Sequence, residues 1–272
     1  MAQSEKSIIL LFKVDSVINA MIPKIIHYCW FGRGPKPVLA EKCIASWRQF
    51  LPDYEIREWN EDNFDVNCIP YTSEAYRAHK YAFVSDYARF WILYKYGGVY
   101  FDTDVELIRP IDFMISKGNF LGVENSGIDL SKPLSPSTKN YYVNPGLGMC
   151  AEAKLAIFKE VLNDYEQSHF ILSDGKMNSE NVVGRTTKIL FRHGLKITKD
   201  IQVVDSFTIY PMDWMCPIRT TDGKMFLTEN TVSIHHYAAS WTTPLHRFLR
   251  KVLLAMGGAR LKIWLGEKIS NI

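Results

Sequence analysis

The chain has 272 residues, enough to bury a full hydrophobic core, with 47% hydrophobic and 22% charged residues. A net charge of +3 is too small to indicate nucleic-acid binding. The five cysteines are scattered and form no C-x-x-C pair, which argues against a zinc site or a disulfide framework and favours a reducing, cytoplasmic compartment.

The N-terminal segment, residues 1–20, contains one short apolar run that Lys13 and Asp15 interrupt. This run is too short for a transmembrane helix, and no convincing cleavage signal follows it. We therefore expect residues 1–20 to be a leader or a disordered segment, with Met21 as an alternative start.

The next part of the chain has the pattern of a β-α-β unit. Residues 23–31 predict a buried strand, and a Gly/Pro loop follows it. Residues 38–51 have helical spacing, and residues 54–60 alternate like a second strand. This order predicts a mostly parallel sheet with helices on its faces.

Residues 72–97 are predicted to be helical, as one long helix or as two helices broken near Val84–Ser85. Thr72 or Ser73 is the expected N-cap, and Gly97 the expected end. A short strand, 99–101, leads directly to two aspartates.

Further strands and two helices are predicted after the aspartates, without a clean β-α alternation. The strands are expected at 120–125, 144–151, 201–211 and 231–238, and the helices at 154–168 and 180–194. We predict one α/β domain, residues 21–243, with a Rossmann-like mixed sheet flanked by helices. The Pro-containing loop 126–140 is the expected mobile segment.

Asp102 and Asp104 stand where the strand 99–101 ends, although Asp is disfavoured inside strands. Side chains at positions i and i+2 point to the same side of an extended segment, so the two carboxylates can share a divalent cation. The carboxyl ends of strands are also where open α/β sheets bind ligands. A plain turn is the alternative structural interpretation.

Asp86 and Arg89 lie three residues apart on the preceding helix and therefore share a face. A local ion pair is the simplest interpretation. Because this helix leads straight into the strand that carries Asp102, the pair can also reach the same site, where a carboxylate and a guanidinium grip hydroxyls or oxyanions.

The whole string "SDYARFWILYKYGGVYFDTD", residues 85–104, closely resembles the D-x-D sugar-binding region of family 32 glycosyltransferases. That family includes yeast-type mannosyltransferases and many bacterial capsule and lipopolysaccharide enzymes, and the string is also similar to the glucosylating clostridial toxins. "IPKIIHYCWFG" (22–32) resembles the first strand of the family, and "HHYAASW" (235–241) resembles its C-terminal H-x-x-x-S-W element.

This resemblance implies a GT-A fold, a nucleotide-sugar donor with UDP or GDP, and a divalent metal, Mn²⁺ or Mg²⁺. It further implies transfer with retention of the anomeric configuration. On the donor side, Trp30 would stack on the nucleobase, Tyr100 would line the pocket, and Asp86 and Arg89 would hold the sugar. Asp102 would contact the ribose and sugar hydroxyls.

The metal and diphosphate roles also follow from the resemblance. Asp104 would bind the metal, and Ser240 and Trp241 would lie near the phosphates. A histidine of the C-terminal element would complete the metal site, and the sequence leaves His235 and His236 open. We favour His236, which lies four residues before Ser240.

One departure from the family lies in the helix predicted at 180–194. Many relatives have a Gly-Pro pair there, whereas here Gly184 is followed by Arg185. We expect Arg185 to be a solvated surface residue, with contact to a phosphate or an acidic acceptor as the alternative.

The expected function is therefore a retaining glycosyltransferase that builds a surface polysaccharide, capsule or lipopolysaccharide, from a nucleotide sugar and a glycan acceptor, including a lipid-linked one. The first alternative is a phosphatase of the haloacid dehalogenase type with Asp102 as the nucleophile. The second is a sugar-binding module without turnover. No nucleic-acid partner is expected.

The C-terminal tail, residues 244–272, is predicted to be a basic amphipathic helical segment. It carries six Lys or Arg residues against one acidic residue, Glu267. We expect it to lie on an anionic membrane surface with Trp264 at the interface, which would place a cytoplasmic protein on the inner face of the plasma membrane. A helix packed on the domain is the alternative.

Overall fold

A computed structural model describes residues 22–128, 140–178 and 180–238. The strands in these residues are β1 (Ile25–Cys29), β2 (Glu55–Trp59), β3 (Gly98–Tyr100), β4 (Val105–Leu107), β5 (Phe120–Gly122), β6 (Met149–Ala151), β7 (Gln202–Val204), β8 (Phe207–Tyr210) and β9 (Ser233–His235). The helices there are α1 (Val38–Phe50), α2 (Pro70–Arg77), α3 (Tyr81–Tyr96), α4 (Asp112–Ile115), α5 (Ala156–Glu166), α6 (Val182–Arg192) and α7 (Met212–Met215), with a 3₁₀ turn at Pro145–Leu147.

A seven-stranded sheet runs in the order β2–β1–β3–β6–β5–β8–β7. β1 pairs in parallel with β2 and β3, and β5 with β8, whereas β3–β6, β5–β6 and β7–β8 are antiparallel. β4 and β9 form a separate antiparallel pair. The predicted mixed sheet flanked by helices is therefore confirmed.

Strand β1, next to the edge strand β2, fixes the end of the sheet at which the site forms. Its parallel pairing with β3 puts the carboxyl ends of both strands at one edge of the sheet. Trp30 directly follows β1, and Asp102 lies two residues after β3. The fold therefore brings Trp30 and Asp102 to the same end of the sheet. Buried His27 supports this pairing: one ring nitrogen bonds the Gly97 carbonyl at 3.0 Å, and the other accepts from Trp59.

Each face of the sheet carries its own hydrophobic core. On one face α2, α3, α5 and α6 pack together, and the fully buried rings of Phe90 and Phe158 meet edge to face at 5.1 Å. On the other face α1 packs with β4, α4 and α7. The indole of Trp47 on α1 donates to the carbonyl of Val105 at 2.7 Å, which ties α1 to β4. Both cores hold the strand ends that carry the site.

The helical region 72–97 is two helices, but the break lies at residues 78–80 and not near Val84–Ser85. His79 adopts a left-handed conformation there, with φ of 56°. The first helix also begins earlier than predicted, because Pro70 occupies its first turn. Thr72 lies inside the helix, and its hydroxyl donates to the Ile69 carbonyl.

The second half of the chain departs from the predicted elements in its turns. The predicted strand 201–211 is the β7–β8 hairpin, which turns at Asp205 with φ of 52°. The predicted strand 144–151 is the 3₁₀ turn followed by β6, and the predicted strand 231–238 is shortened to β9. Sequence patterns gave no sign of β4, α4 or α7, which are only three or four residues long.

Several sequence predictions fall outside the described residues: the leader 1–20, most of the loop 126–140, the domain boundary at 243 and the tail 244–272. Among the residues that the structure does describe, no helix has the length and apolar character needed to cross a bilayer.

Candidate active site

The two aspartates lie in the tight turn that joins β3 to β4. The amide of Val105 donates to the Asp102 carbonyl at 3.0 Å and closes this turn. The two aspartates therefore lie in a turn, as the alternative interpretation proposed, but their carboxylates also face a cavity. Both carboxylates line a cavity of about 690 Å³ at the edge of the sheet.

Asp86, Arg89 and Asp102 form one charged group on the cavity wall. Arg89 lies 2.9 Å from Asp86 and 3.2 Å from Asp102, with its side chain only 4% exposed. The Tyr100 hydroxyl donates to Asp102 at 3.0 Å, and the guanidinium lies 5.0 Å from the Tyr100 ring centre. The sequence thus correctly brought these four residues together.

Burial and the neighbouring charges shift the pKa values of Asp86 and Arg89. Burial raises the pKa of Asp86 to about 6, although the nearby charge of Arg89 opposes the rise. For Arg89, burial alone would lower the pKa, but Asp102, Tyr100 and Asp86 together outweigh burial and raise the pKa. Arg89 therefore stays charged and holds both carboxylates in place.

Asp104 pairs with His235 at the end of β9. The imidazole Nε2 lies 3.0 Å from Asp104 Oδ1, and the Ala238 amide donates to Asp104 Oδ2 at 2.8 Å. Burial would raise the pKa of Asp104, but the charge of His235 and the hydrogen bonds from His235 and Ala238 lower it to about 2. Asp104 is therefore ionised at neutral pH.

The preference for His236 over His235 is corrected by this geometry. His236 points away from the aspartates, to Glu106, at 2.8 Å. Glu106 in turn bonds Lys42 on α1. Neighbouring residues of a strand face opposite sides, so only one of the two histidines can reach Asp104.

Asp102, Asp104 and His235 have the composition of a divalent metal site. One ligand atom from each lies within 4.8 Å of the others. Carboxylate oxygen and imidazole nitrogen are ligands that Mn²⁺ and Mg²⁺ accept. The buried Nδ1 of His235 has no hydrogen-bond partner among the described residues, so the contact with Asp104 and the packing on the Tyr237 ring at 4.1 Å orient this imidazole. The residues present fit such an ion.

Trp30 lies in the wall of the same cavity, at the end of β1. It is half-buried, and its indole N–H donates to the Gly34 carbonyl at 2.6 Å. This hydrogen bond holds the edge of the indole, and the ring borders the cavity, as a stacking platform requires.

The structure adds Glu124, Asn144 and Tyr237 to the cavity wall, which the sequence analysis missed. Glu124 follows β5, Asn144 caps the 3₁₀ turn, and Tyr237 follows β9. No local motif joins them, because they come from strand ends far apart in the chain. All three lie inside strands that the sequence predicts (120–125, 144–151 and 231–238), so no sequence signal indicated that they face the cavity.

Arg185 is not the solvated surface residue that we expected. It is 3% exposed, pairs with Asp164 and Glu180, and lies 4.5 Å from the ring centre of Tyr165. Arg185 therefore forms a buried ion pair that links α6 to α5. Ser240 and Trp241 lie outside the described residues.

Residues 37–121 match the family model described as "Glycosyltransferase sugar-binding region containing DXD motif". This part of the chain is therefore similar to the sugar-binding region of that glycosyltransferase class, as the resemblance predicted. The match contains Asp86, Arg89, Tyr100 and both aspartates of the motif. Because it ends at residue 121, His235 enters the site on geometry alone.

Curated relatives agree with this class. The chain is 34% identical over 117 residues to inositol phosphoceramide mannosyltransferase 3 of Schizosaccharomyces pombe. This alignment covers 38% of this chain and 32% of that protein. The alignment thus spans about a third of that relative. A longer match, 27% over 223 residues, covers 74% of this chain and 80% of the uncharacterized glycosyltransferase L373 of Acanthamoeba polyphaga mimivirus.

Solved glycosyltransferase structures show a weaker likeness. The PaToxG glycosyltransferase has a TM-score of 0.42 at 18% identity and covers 69% of this chain and 77% of its own. The galactosyltransferase LgtC, in complex with donor and acceptor sugar analogs, has a TM-score of 0.41 at 14% identity, covering 89% and 99%. Scores of this size add no weight to the assignment.

Proposed function

We propose that this protein is a glycosyltransferase that moves a sugar from a nucleotide-sugar donor to a glycan acceptor. One observation carries the proposal: the Asp86–Arg89–Asp102 group and the Asp102–Asp104–His235 set share a single carboxylate in one cavity. A site that grips hydroxyls with one group and a cation with the other suits a sugar diphosphate.

The first group binds the donor sugar. Carboxylate oxygens accept hydrogen bonds, so Asp86 and Asp102 suit the hydroxyls of a sugar and of a ribose. Arg89 bridges the two carboxylates and fixes them in place for the donor.

Asp104 and His235, with Asp102, would hold a divalent ion, Mn²⁺ or Mg²⁺. When bound, that ion supplies charge neutralisation to the leaving diphosphate. Asp104 is ionised at neutral pH and can ligate a cation, whereas His235 would ligate it only as the neutral imidazole. Retention of the anomeric configuration is proposed from the family resemblance.

The donor base stacks on Trp30, and either UDP or GDP fits this role because every base has a π-face. Replacing Trp30 by Ala removes the platform without touching the carboxylates. Titration of UDP and GDP against that variant tests the assignment, and unchanged affinity would return Trp30 to a packing role.

The acceptor belongs to a surface polysaccharide, capsule or lipopolysaccharide, and is carried on a lipid. The family resemblance supports this pathway, and the name of the Schizosaccharomyces pombe relative includes a lipid, inositol phosphoceramide. The basic tail 244–272 would then hold a cytoplasmic enzyme at the inner face of the plasma membrane. Cosedimentation with anionic and neutral vesicles at low salt tests the tail, and no binding to either would make it structural.

A panel of UDP- and GDP-sugars incubated with Mn²⁺, with and without EDTA, tests the activity through nucleotide release. Release that EDTA abolishes supports the proposal. Binding of a nucleotide sugar with no release from any donor would favour a sugar-binding module. Release of phosphate from a phosphomonoester, with phosphate attached to Asp102, would favour the phosphatase.

A further inference from the structure

A carboxylate outside the D-x-D turn faces the same cavity. Glu124 follows the end of β5, two strands away from β3 in the sheet, and borders the cavity that Asp102 and Asp104 line. It lies beyond the segment that matches the family model, which ends at residue 121. Glu124 has no part in the sugar-binding, metal-binding and base-stacking roles proposed above.

Neutral groups hold the Glu124 side chain. The amide Nδ2 of Asn144 donates to Glu124 Oε2 at 2.7 Å, and the hydroxyl of Tyr237 also hydrogen-bonds this carboxylate. Asn144 is itself fixed, because its Oδ1 accepts from the Gly146 amide at 2.7 Å. Two carboxylate oxygens offer about four lone-pair positions, so two donors leave capacity unused.

In the described part of the chain, Glu124 has neither a cationic side chain nor a place in the candidate metal set to explain its half-buried carboxylate. Among the described residues no Lys, Arg or His lies within salt-bridge distance of it. It is also outside the set of ligand atoms within 4.8 Å that Asp102, Asp104 and His235 form. The remaining natural partner of such a group is an O–H donor that arrives with the substrate.

We propose that Glu124 accepts a hydrogen bond from the hydroxyl that attacks the donor sugar. This hydroxyl is that of the glycan acceptor or, when no acceptor is present, water. The inference rests on the proposed transfer activity and adds an acceptor-side residue to it. Asn144 and Tyr237 are positioning residues that aim the carboxylate.

The test compares full-length wild type with Glu124→Gln and with Glu229→Gln, a control at an exposed glutamate that does not border the cavity. The probe reaction is Mn²⁺-dependent hydrolysis of the UDP- or GDP-sugar that wild type cleaves fastest, followed over substrate concentration. Calorimetric titration of the matching nucleoside diphosphate with Mn²⁺ measures the donor side separately. Thermal unfolding checks that all three proteins fold.

For Glu124→Gln we expect kcat to fall about 10- to 100-fold, the scale of one hydrogen bond to a charged group, with unchanged KM for the donor. Nucleotide affinity should stay within about twofold of wild type, because Glu124 lies outside the Asp102–Asp104–His235 set to which the metal and diphosphate are assigned. Glu229→Gln should match wild type in every measurement.

Unchanged kcat in Glu124→Gln, or a loss of nucleotide affinity as large as the loss of kcat, would overturn the inference. The second result would make Glu124 a donor or structural residue. A wild-type protein that cleaves no nucleotide sugar would instead overturn the proposed function, and the Glu124 role with it.

Discussion

The Asp102 carboxylate connects the two groups of side chains in the cavity. It accepts hydrogen bonds from Tyr100 and Arg89, and it also lies in the set with Asp104 and His235. A shift of this one side chain should therefore disturb sugar binding and metal binding together. The backbone of Gly146 sets its position from one side.

Gly146 leaves no room for a side chain. A Cβ at this position would collide with Asp102 Oδ2 and lie 3.0 Å from Asn144 Oδ1. We expect Gly146→Ala to displace Asp102 and to lower donor turnover at least about tenfold, because a misplacement of about 1 Å costs up to 10²-fold. Gly184→Ala is the control, since the nearest atom there is 3.6 Å away. Equal turnover of the two variants would contradict this role of Gly146.

The two neighbouring histidines provide a matched pair for the metal site. His235→Ala should weaken Mn²⁺ binding at least about 10- to 100-fold, as loss of a group that supports a metal does. His236→Ala removes only the partly exposed pair with Glu106, worth about 0–1 kcal/mol, so affinity should stay within about fivefold. Calorimetric titration of Mn²⁺ into both variants measures the two affinities. A larger loss of Mn²⁺ affinity in His236→Ala than in His235→Ala would make His236 the ligand.

At the level of the elements, His193 joins three of them at the end of α6. Its Nε2 lies 2.7 Å from Glu160 on α5, and its Nδ1 lies 2.6 Å from Asp205 in the β7–β8 turn. Both nitrogens can donate only in the imidazolium form. The hydrogen bond to Glu160, helped by the charge of Asp205, raises the pKa of His193.

A raised pKa in the folded state means that the pair stabilises the protein fully below the unfolded value of about 6.5 and loses this effect as the pH rises through the folded pKa. His193→Gln should therefore lower the unfolding temperature more at about pH 6 than at about pH 9. Thermal scans of wild type and variant at both pH values measure this. A difference that grows with pH would contradict the imidazolium assignment.

For the whole molecule, the sequence predicted best what lies close together in the chain. The string from Asp86 to Asp104 is contiguous, so the helix, the double glycine and the strand end were all visible in it. Alternation along β9 told us that His235 and His236 face opposite sides, but not which side meets β4. Only the antiparallel register of β4 with β9 decides that.

The rest of the site depends on long-range packing that no local pattern encodes. Glu124 and Asn144 meet because β5 and β6 lie side by side, with a long segment of chain between them. Arg185 is buried because Tyr71 from α2 and Tyr165 from α5 close over it, 5.6 Å and 4.5 Å away. Neither neighbour lies within a helical turn of Arg185.

The most direct measurement is the Mn²⁺-dependent release of nucleotide from the best donor by wild type and by Asp104→Asn. Asparagine keeps the shape of Asp104 but removes the charge, so we expect turnover to fall at least about a hundredfold with the fold intact, because charge stabilisation of the leaving group is a transition-state effect. Asp53→Asn, at an exposed surface pair, should behave as wild type. Near-native, EDTA-resistant turnover by Asp104→Asn would contradict the metal-assisted transfer proposed here.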